Sequence, residues 1–181
     1  MILLRFFLFD FSRFRCMVLK YKLGDRMKIL IDADALPRPL KDALIKAAER
    51  TRCRCVFVAA GMPFLPFSEW VEGVAAGNAF NGADDWIAEH IEAGDLVVTA
   101  DIPLADRALD RRAEVLSPKG DFFTPANIKN ALAMRELLEE LRTAGEVTGG
   151  PAPFSRRQRE VFINALDRFL QKAIRKADGK R

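Results

Sequence analysis

Short apolar runs alternate with amphipathic stretches along the first two thirds of the chain. Residues 28–31 form such a run, which ends at Asp32 and is typical of a buried parallel strand. A helix that opens at Pro37 and Pro39 is predicted to follow it. The pattern predicts further strands at 53–60, 70–75, 96–100 and 114–116, and further helices at 82–93 and 102–111. Strands that alternate with helices indicate βαβ units, so we expect an α/β fold with a parallel sheet.

The last third of the chain is helical by its pattern. Thr124 and Pro125 predict a helix start, with Thr as the N-cap and Pro at the first helical position, and this helix is expected to end near residue 144. Residues 148–153 are rich in Gly and Pro, which predicts a linker or tight loop.

A second C-terminal helix is predicted behind Ser155 and Gln158, whose spacing is that of a capping box. One stripe of this helix is apolar and carries Val161, Phe162, Ala165, Leu166, Phe169, Leu170 and Ile174. We expect the stripe to pack on the body of the protein, so that residues 27–181 form a single domain.

Residues 1–26 stand apart from this pattern. They hold five Phe residues, six basic residues and two acidic residues, a net charge of +4. Charged residues interrupt the apolar stretch, which makes it too short and too polar to span a membrane or to act as a secretory signal. Because Met27 opens a run typical of a cytoplasmic α/β protein, we expect Met27 to be the natural start and residues 1–26 to be an extension outside the domain that comes from an upstream start codon. A basic amphipathic surface anchor is the alternative.

Composition excludes several classes of protein and locates the charge. Half of the 181 residues are hydrophobic and 30% are charged, which excludes collagen-like, disordered and disulfide-rich chains. Residues 156–181 carry nine basic and three acidic residues, so the net charge of +4 leaves residues 27–155 acidic. We expect clustered carboxylates in this body, whereas the basic tail is either a solvated face or a phosphate-binding surface. Cys53 and Cys55 share one face of a strand and would not pair, as suits a reducing cytoplasm.

Aspartates follow the two strongest predicted strands. Asp32 and Asp34 come directly after the first strand, Asp101 follows the strand at 96–100, and Asp84 and Asp85 open the helix before that strand. Ligands of open parallel sheets bind at the carboxyl ends of the strands, so these acids can converge there. Several carboxylates in one crevice repel one another unless a cation neutralises them. Hard oxygen ligands, in a chain with a single His, predict Mg²⁺ or Mn²⁺ rather than zinc.

Other interpretations of these aspartates remain open from the residues alone. An aspartate after a strand is often a helix N-cap, which applies to Asp84, Asp85 and Asp101. The spacing of Asp32 and Asp34 resembles the nucleophile and acid of haloacid dehalogenase-type phosphatases, although the chain order of the remaining elements differs. A third interpretation is a non-catalytic nucleic-acid-binding module in which the acids are caps and the basic tail binds phosphates.

The motifs together resemble a known family. From Met27 to about residue 173 the chain is similar to the bacterial YaiI/YqxD family, which is grouped with PIN-like nuclease domains. The matching stretches are IDADA at residues 31–35 with Pro37, ADDWIA at 83–88, GDLVVTADIPLA at 94–105, FTP at 123–125 and TGGP at 148–151. The resemblance implies a three-layer, Rossmann-like (PIN-like) parallel sheet with a helical C-terminal region.

The resemblance also implies a function and a set of site residues. It implies a divalent-metal-dependent phosphodiesterase that cuts nucleic acid, with RNA favoured as the partner. Asp32, Asp84 and Asp101 are implied as ligands of Mg²⁺ or Mn²⁺, with Thr99 beside them. Asp34 joins these catalytic candidates because of its own position after the first strand.

Two positions depart from the family pattern. Leu36 stands where the family usually has Cys, which indicates that a thiol is not chemically required there. Asn81 stands where the family usually has Asp, and this exchange removes one further possible metal ligand.

The first testable prediction concerns the N-terminal extension. A protein that starts at Met27 should keep the melting temperature of the full chain to within about one or two degrees, because removing a segment outside the domain leaves the core contacts intact. Differential scanning calorimetry of the two proteins measures this. A large loss of stability would show that the Phe-rich segment packs on the body.

Overall fold

The computed structural model describes residues 27–77, 79–144 and 154–179. The predictions for residues 1–26 and for the loop at 148–153 lie outside the described residues. The strands are β1 (Lys28–Asp32), β2 (Arg54–Ala59), β3 (Val71–Ala75), β4 (Leu96–Val98), β5 (Glu114–Leu116) and β6 (Phe122–Phe123). The helices are α1 (Arg38–Thr51), α2 (Gly82–His90), α3 (Ile102–Asp110), α4 (Ile128–Thr143) and α5 (Arg156–Asp178).

The strands form one sheet in the order β3-β2-β1-β4-β5-β6. The first five strands pair in parallel, and β6 pairs antiparallel with β5. The chain therefore starts in the middle of the sheet, builds one side as far as β3, and returns to build the other side from β4. This is the strand order of the doubly wound Rossmann-like fold, in which the reversal between β1 and β4 leaves a crevice.

Apolar side chains cover both faces of the sheet, as the uninterrupted hydrophobic runs predict. On one face, Ile29, Ile31 and Phe57 pack with α1 and α5. On the other face, Leu30 and Val97 pack with α2, α3 and the first residue of α4. The result is an α/β fold with three layers, a helical layer on each face of the mostly parallel sheet.

Among the differences from the sequence prediction are two helix ends and one additional strand. Helix α4 begins at Ile128, and Thr124 is not its N-cap, because the Asn127 side chain accepts a hydrogen bond from the Thr124 N–H in a turn before the helix. Helix α2 ends at His90, because Ile91 takes an extended backbone and is buried. The sequence pattern does not predict strand β6, because its two residues are too few to show an alternation of apolar and polar positions.

The last helix and the cysteines are as predicted. Ser155 and Gln158 make both hydrogen bonds of the capping box. The apolar stripe of α5 packs beside α1, except that Val161 is 41% exposed. Cys53 and Cys55 are free and buried. No helix in the described part of the chain is both long enough and apolar enough to cross a membrane.

The turn between β5 and β6 is fitted tightly against α5. Gly120 has a φ of +90°, and a Cβ at this position would lie 2.7 Å from Val161 Cγ1 and 2.9 Å from the Phe162 backbone nitrogen. Only glycine avoids both the left-handed strain and this overlap.

Replacing Gly120 by Ala should therefore lower the free energy of unfolding by about 2 kcal/mol or more. Gly61→Ala is the matched control, because nothing lies within 4 Å of its Cβ position and its φ is not in the left-handed range. It should change stability by less than about 0.5 kcal/mol. Urea denaturation of the two variants measures the difference, and equal stability would contradict the contact.

Candidate functional site

The crevice between β1 and β4 brings Asp32 and Thr99 together. Ile31 pairs with Val98, so the next residue on each strand lies at the carboxyl edge of the sheet. Asp32 is only 6% exposed and Thr99 is fully buried. The Thr99 hydroxyl donates to Asp32 Oδ2 at 3.0 Å and accepts from the Asp101 N–H at 2.9 Å. One hydroxyl thus fixes the Asp32 carboxylate and the backbone at the start of α3.

Asp101 is the N-cap of α3, as one of the alternatives held. Its Oδ1 accepts a hydrogen bond from the Leu104 N–H at 2.8 Å. The cap uses only this oxygen, so the second oxygen of the carboxylate remains available to another ligand. A capping role and a ligand role are therefore compatible at this residue.

Asp84 lies in the first turn of α2 and does not cap it. The N-cap is Asn81, whose φ of 59° places it in the left-handed region that Asn tolerates well. The alternative that Asp84 or Asp85 caps this helix is therefore wrong. The two acids separate instead: Asp85 is exposed and pairs with Arg107 at 2.8 Å, whereas Asp84 is half-buried and faces the crevice charges.

Asp34 follows β1 at the same edge of the sheet, on the side of β2. Its side chain is exposed, and its Oδ2 accepts a hydrogen bond from the Ala60 N–H at 2.7 Å, across the end of β2. Asp34 acts on the site chiefly through its charge, which adds to the field around Asp32.

Burial and neighbouring charges disfavour the ionised forms of Asp32 and Asp84. Burial raises the pKa of Asp84 to about 6, and the charges of Asp101 and Asp32 act in the same direction. Burial also raises the pKa of Asp32, with smaller contributions from Asp34 and Asp101, against the hydrogen bonds from Thr99 and the Ala35 backbone. Each group is thus held in a field that disfavours its charged form.

A buried aspartate elsewhere in the protein shows the contrast. Asp95, 2% exposed at the opposite edge of the sheet, accepts hydrogen bonds from the Lys28 and Glu92 backbones and pairs with Lys28 Nζ at 2.9 Å. Within the described ranges, neither Asp32 nor Asp84 has such an ion-pair partner. The crevice therefore concentrates negative charge, which the Arg107 charge offsets only in part at Asp84.

The donors suit a hard cation in kind, although they are not assembled around one. Carboxylate oxygens are the ligands that Mg²⁺ and Mn²⁺ prefer. Among the residues that the structure describes, however, no three His, Cys, Asp or Glu side chains are arranged to hold a metal ion. Binding a cation here requires the side chains of the crevice to turn towards one another.

A cleft that the sequence did not reveal opens beside Asp34. It has a volume of about 800 Å³ and lies between α1 and the segment 61–66, with Phe57 and Ala59 at its base. Arg38 and Lys41 of α1 line it, and Phe64, which is fully exposed, stands at its rim. The prolines at 63 and 66 were the only sequence signal of this segment, and they predict a loop without indicating what it lines.

Comparison with known proteins identifies the relatives of this chain. The profile of the family described as "Uncharacterized BCR, YaiI/YqxD family" matches residues 30–172. A UPF0178 protein of Solidesulfovibrio magneticus is 49% identical over 145 residues, which cover 80% of this chain and 97% of that protein. A UPF0178 protein of Marinobacter nauticus is 45% identical over 150 residues, 83% of this chain and 100% of that protein. No solved structure matches the chain. Its sequence shows that the chain belongs to the YaiI/YqxD family.

Proposed function

We propose that this protein is a divalent-metal-dependent phosphodiesterase that acts on nucleic acid, with RNA the favoured substrate. The observation that carries the proposal is the set of carboxylates Asp32, Asp84 and Asp101 at the crevice between β1 and β4. Burial and mutual repulsion raise the pKa of Asp32 and Asp84, and no described cationic side chain forms an ion pair with either. Sites that bear perturbed carboxylates in a cleft are typical of catalytic centres.

Asp32, Asp84 and Asp101 are the residues that would hold the cation. A bound Mg²⁺ or Mn²⁺ supplies an activated water and neutralises charge on the scissile phosphate. The oxygen of Asp101 that does not cap α3 would be one ligand atom, and the Asp32 carboxylate, which already accepts from Thr99 and the Ala35 backbone, would supply another. Asp84, in the first turn of α2, would be the third ligand.

Thr99 and Asp34 would position the metal ligands or assist the reaction rather than hold the metal. Thr99 holds Asp32 in one orientation, because its single proton is donated to Asp32 Oδ2 while its oxygen accepts from the Asp101 backbone. Asp34 is exposed and keeps Oδ1 free, since Oδ2 is bound to the Ala60 N–H. In this proposal that oxygen would accept a proton from the attacking water.

Asp32→Asn tests the activity. It should lower the rate of metal-dependent cleavage by a factor of hundreds or more, about 3 kcal/mol or above, because Asn keeps the shape and loses the charge. The fold should persist, since burial already favours the neutral form of this side chain. The measurement is cleavage of labelled single-stranded RNA and DNA with Mg²⁺, with Mn²⁺ and with chelator.

Asp110→Asn is the matched control, because Asp110 is exposed at the end of α3, away from the crevice. It should cleave at the wild-type rate. Cleavage that is equal in Asp32→Asn and wild type, or that persists in chelator, would contradict the proposal. Release of phosphate from small esters, without cleavage of nucleic acid, would favour the phosphatase interpretation. Binding of nucleic acid without any hydrolysis would favour the binding module.

Asp84→Asn tests the electrostatics of the crevice by stability. A carboxyl whose pKa is raised to about 6 in the folded protein binds its proton more tightly there than in the unfolded chain. The free energy of unfolding therefore falls as the pH rises from about 4 to about 6, and stays lowered above that range. Without divalent cations, Asp84→Asn should be more stable than wild type by about 1 kcal/mol at pH 7, after allowance for solvent screening. The gain should vanish near pH 4.

Asp85→Asn is the control for this measurement. The Asp85 carboxyl lies next to Asp84 in the sequence, but it is exposed and pairs with Arg107. The control variant should show a small loss of stability at pH 7 rather than a gain, because it removes the exposed ion pair with Arg107. Urea denaturation between pH 4 and pH 8 compares the three proteins. Added Mn²⁺ at pH 7.5 should raise the melting temperature of wild type more than that of Asp84→Asn. A gain that is independent of pH would contradict the raised pKa.

A further inference from the structure

A second groove lies on the opposite side of the crevice from the cleft beside Asp34, which we call the α1 cleft. It has a volume of about 470 Å³ and runs between α4 and the turn that joins β5 to β6. Ala100 and Ile102, which flank Asp101, form its inner end. The groove therefore begins next to Asp101, one of the proposed metal ligands.

The floor of this groove is apolar and open to solvent. Ile102 and Phe123 form its base on the side of the sheet, and Met134 and Leu138 face it from α4. Met134 is 56% exposed, so the apolar surface is not covered by the described residues. An exposed apolar patch surrounded by polar residues is typical of a binding site.

The rim of the groove is cationic. Lys119 of the β5–β6 turn and Arg135 and Arg142 of α4 line it, against a single acid, Asp121. Arg135 has only a long, exposed contact with Glu139, at 3.9 Å. The residues that line the groove thus carry a net charge of +2, beside a crevice rich in carboxylates.

We propose that this α4 groove binds a nucleotide unit of a single-stranded nucleic acid, on one side of the bond to be cleaved. The proposal rests on the proposed function, because the crevice supplies the reason for a phosphodiester to lie next to Asp101. A nucleotide presents a flat, largely apolar base and an anionic phosphate, which match the floor and the rim of the groove. A double strand would hide the bases from the apolar floor, so the single strand is the form that fits.

The double variant Arg135→Gln/Arg142→Gln tests the rim. Fluorescence anisotropy of a labelled single-stranded oligonucleotide with the full-length protein, in chelator, measures binding without cleavage. We expect at least a tenfold loss of affinity at about 0.05 M salt, and a slope of log affinity against log salt reduced by roughly 1.4, since each lost phosphate contact removes about 0.7 on a single strand. Parallel RNA and DNA probes distinguish the two sugars.

Lys172→Gln/Lys176→Gln is the charge-matched control. These exposed lysines lie on α5 beyond Asp167, which pairs with Arg50 near the end of α1, so they belong to the opposite edge of the sheet. The control should change affinity by less than twofold. Equal loss in both double variants, or no measurable binding by wild type, would overturn the proposal. Loss in Arg156→Gln/Arg157→Gln alone would move the contact to α5 and overturn it as well.

Met134→Gln tests whether the floor binds bases. Wild type should bind a normal oligonucleotide about fivefold or more tightly than an abasic strand with the same number of phosphates, because base contacts add to the phosphate contacts. The variant should lose this preference and keep its affinity for the abasic strand. A preference that survives in the variant would overturn the assignment of the floor. Because the binding assays involve no cleavage, they can contradict the groove proposal even if Asp32→Asn lowers hydrolysis as expected. They can also support the groove proposal if the cleavage experiment gives the opposite result.

Discussion

The parallel pairing of β1 with β4 is the contact on which the rest of the structure depends. It joins the two halves of the sheet at the point where the chain reverses its direction of growth. The helix after β1 covers one face and the helix after β4 covers the other, so the two depart in opposite directions and leave a crevice between them. The register of this pair alone sets Asp32 beside Thr99, and Thr99 in turn ties down the start of α3.

Under the proposed function, the carboxylates of the crevice would serve activity at the expense of stability. Asp32 and Asp84 lie where burial and neighbouring charge disfavour their ionised forms. A protein that needed these residues only for structure could neutralise them with a lysine, as it does for Asp95 at the opposite edge. Retaining unpaired carboxylates lowers stability at neutral pH, and this is the kind of cost that active sites bear. The basic and apolar surfaces on either flank of the crevice fit the same interpretation, because they attract a charged ligand to an otherwise repellent centre.

Sequence patterns located the sheet well because buried parallel strands are apolar on both faces. The runs that became β1, β2 and β5 were recognisable without any tertiary information, and so was the capping box of α5. Prediction failed where long-range contacts, or hydrogen bonds between a side chain and the backbone, decide where an element begins or whether it forms. Asn127 captures the Thr124 N–H and delays α4, and β6 exists only because β5 offers it hydrogen bonds. The α1 cleft and the α4 groove were invisible for the same reason, since their walls are distant in sequence.

The sequence by itself determined the class of fold and the identity of the acidic candidates, because hydrophobic period and residue type are local properties. It also placed Asp32 and Asp101 at strand ends, and strand ends of a parallel sheet share one edge. Only the tertiary structure decided what each acid does there. Asp101 caps a helix, Asp85 pairs with Arg107, Asp34 binds the Ala60 backbone, and Asp84 faces the crevice without an ion-pair partner among the described residues. These roles depend on strand order and register, because the electrostatic field at a carboxylate is set by groups that are neighbours in space rather than along the chain.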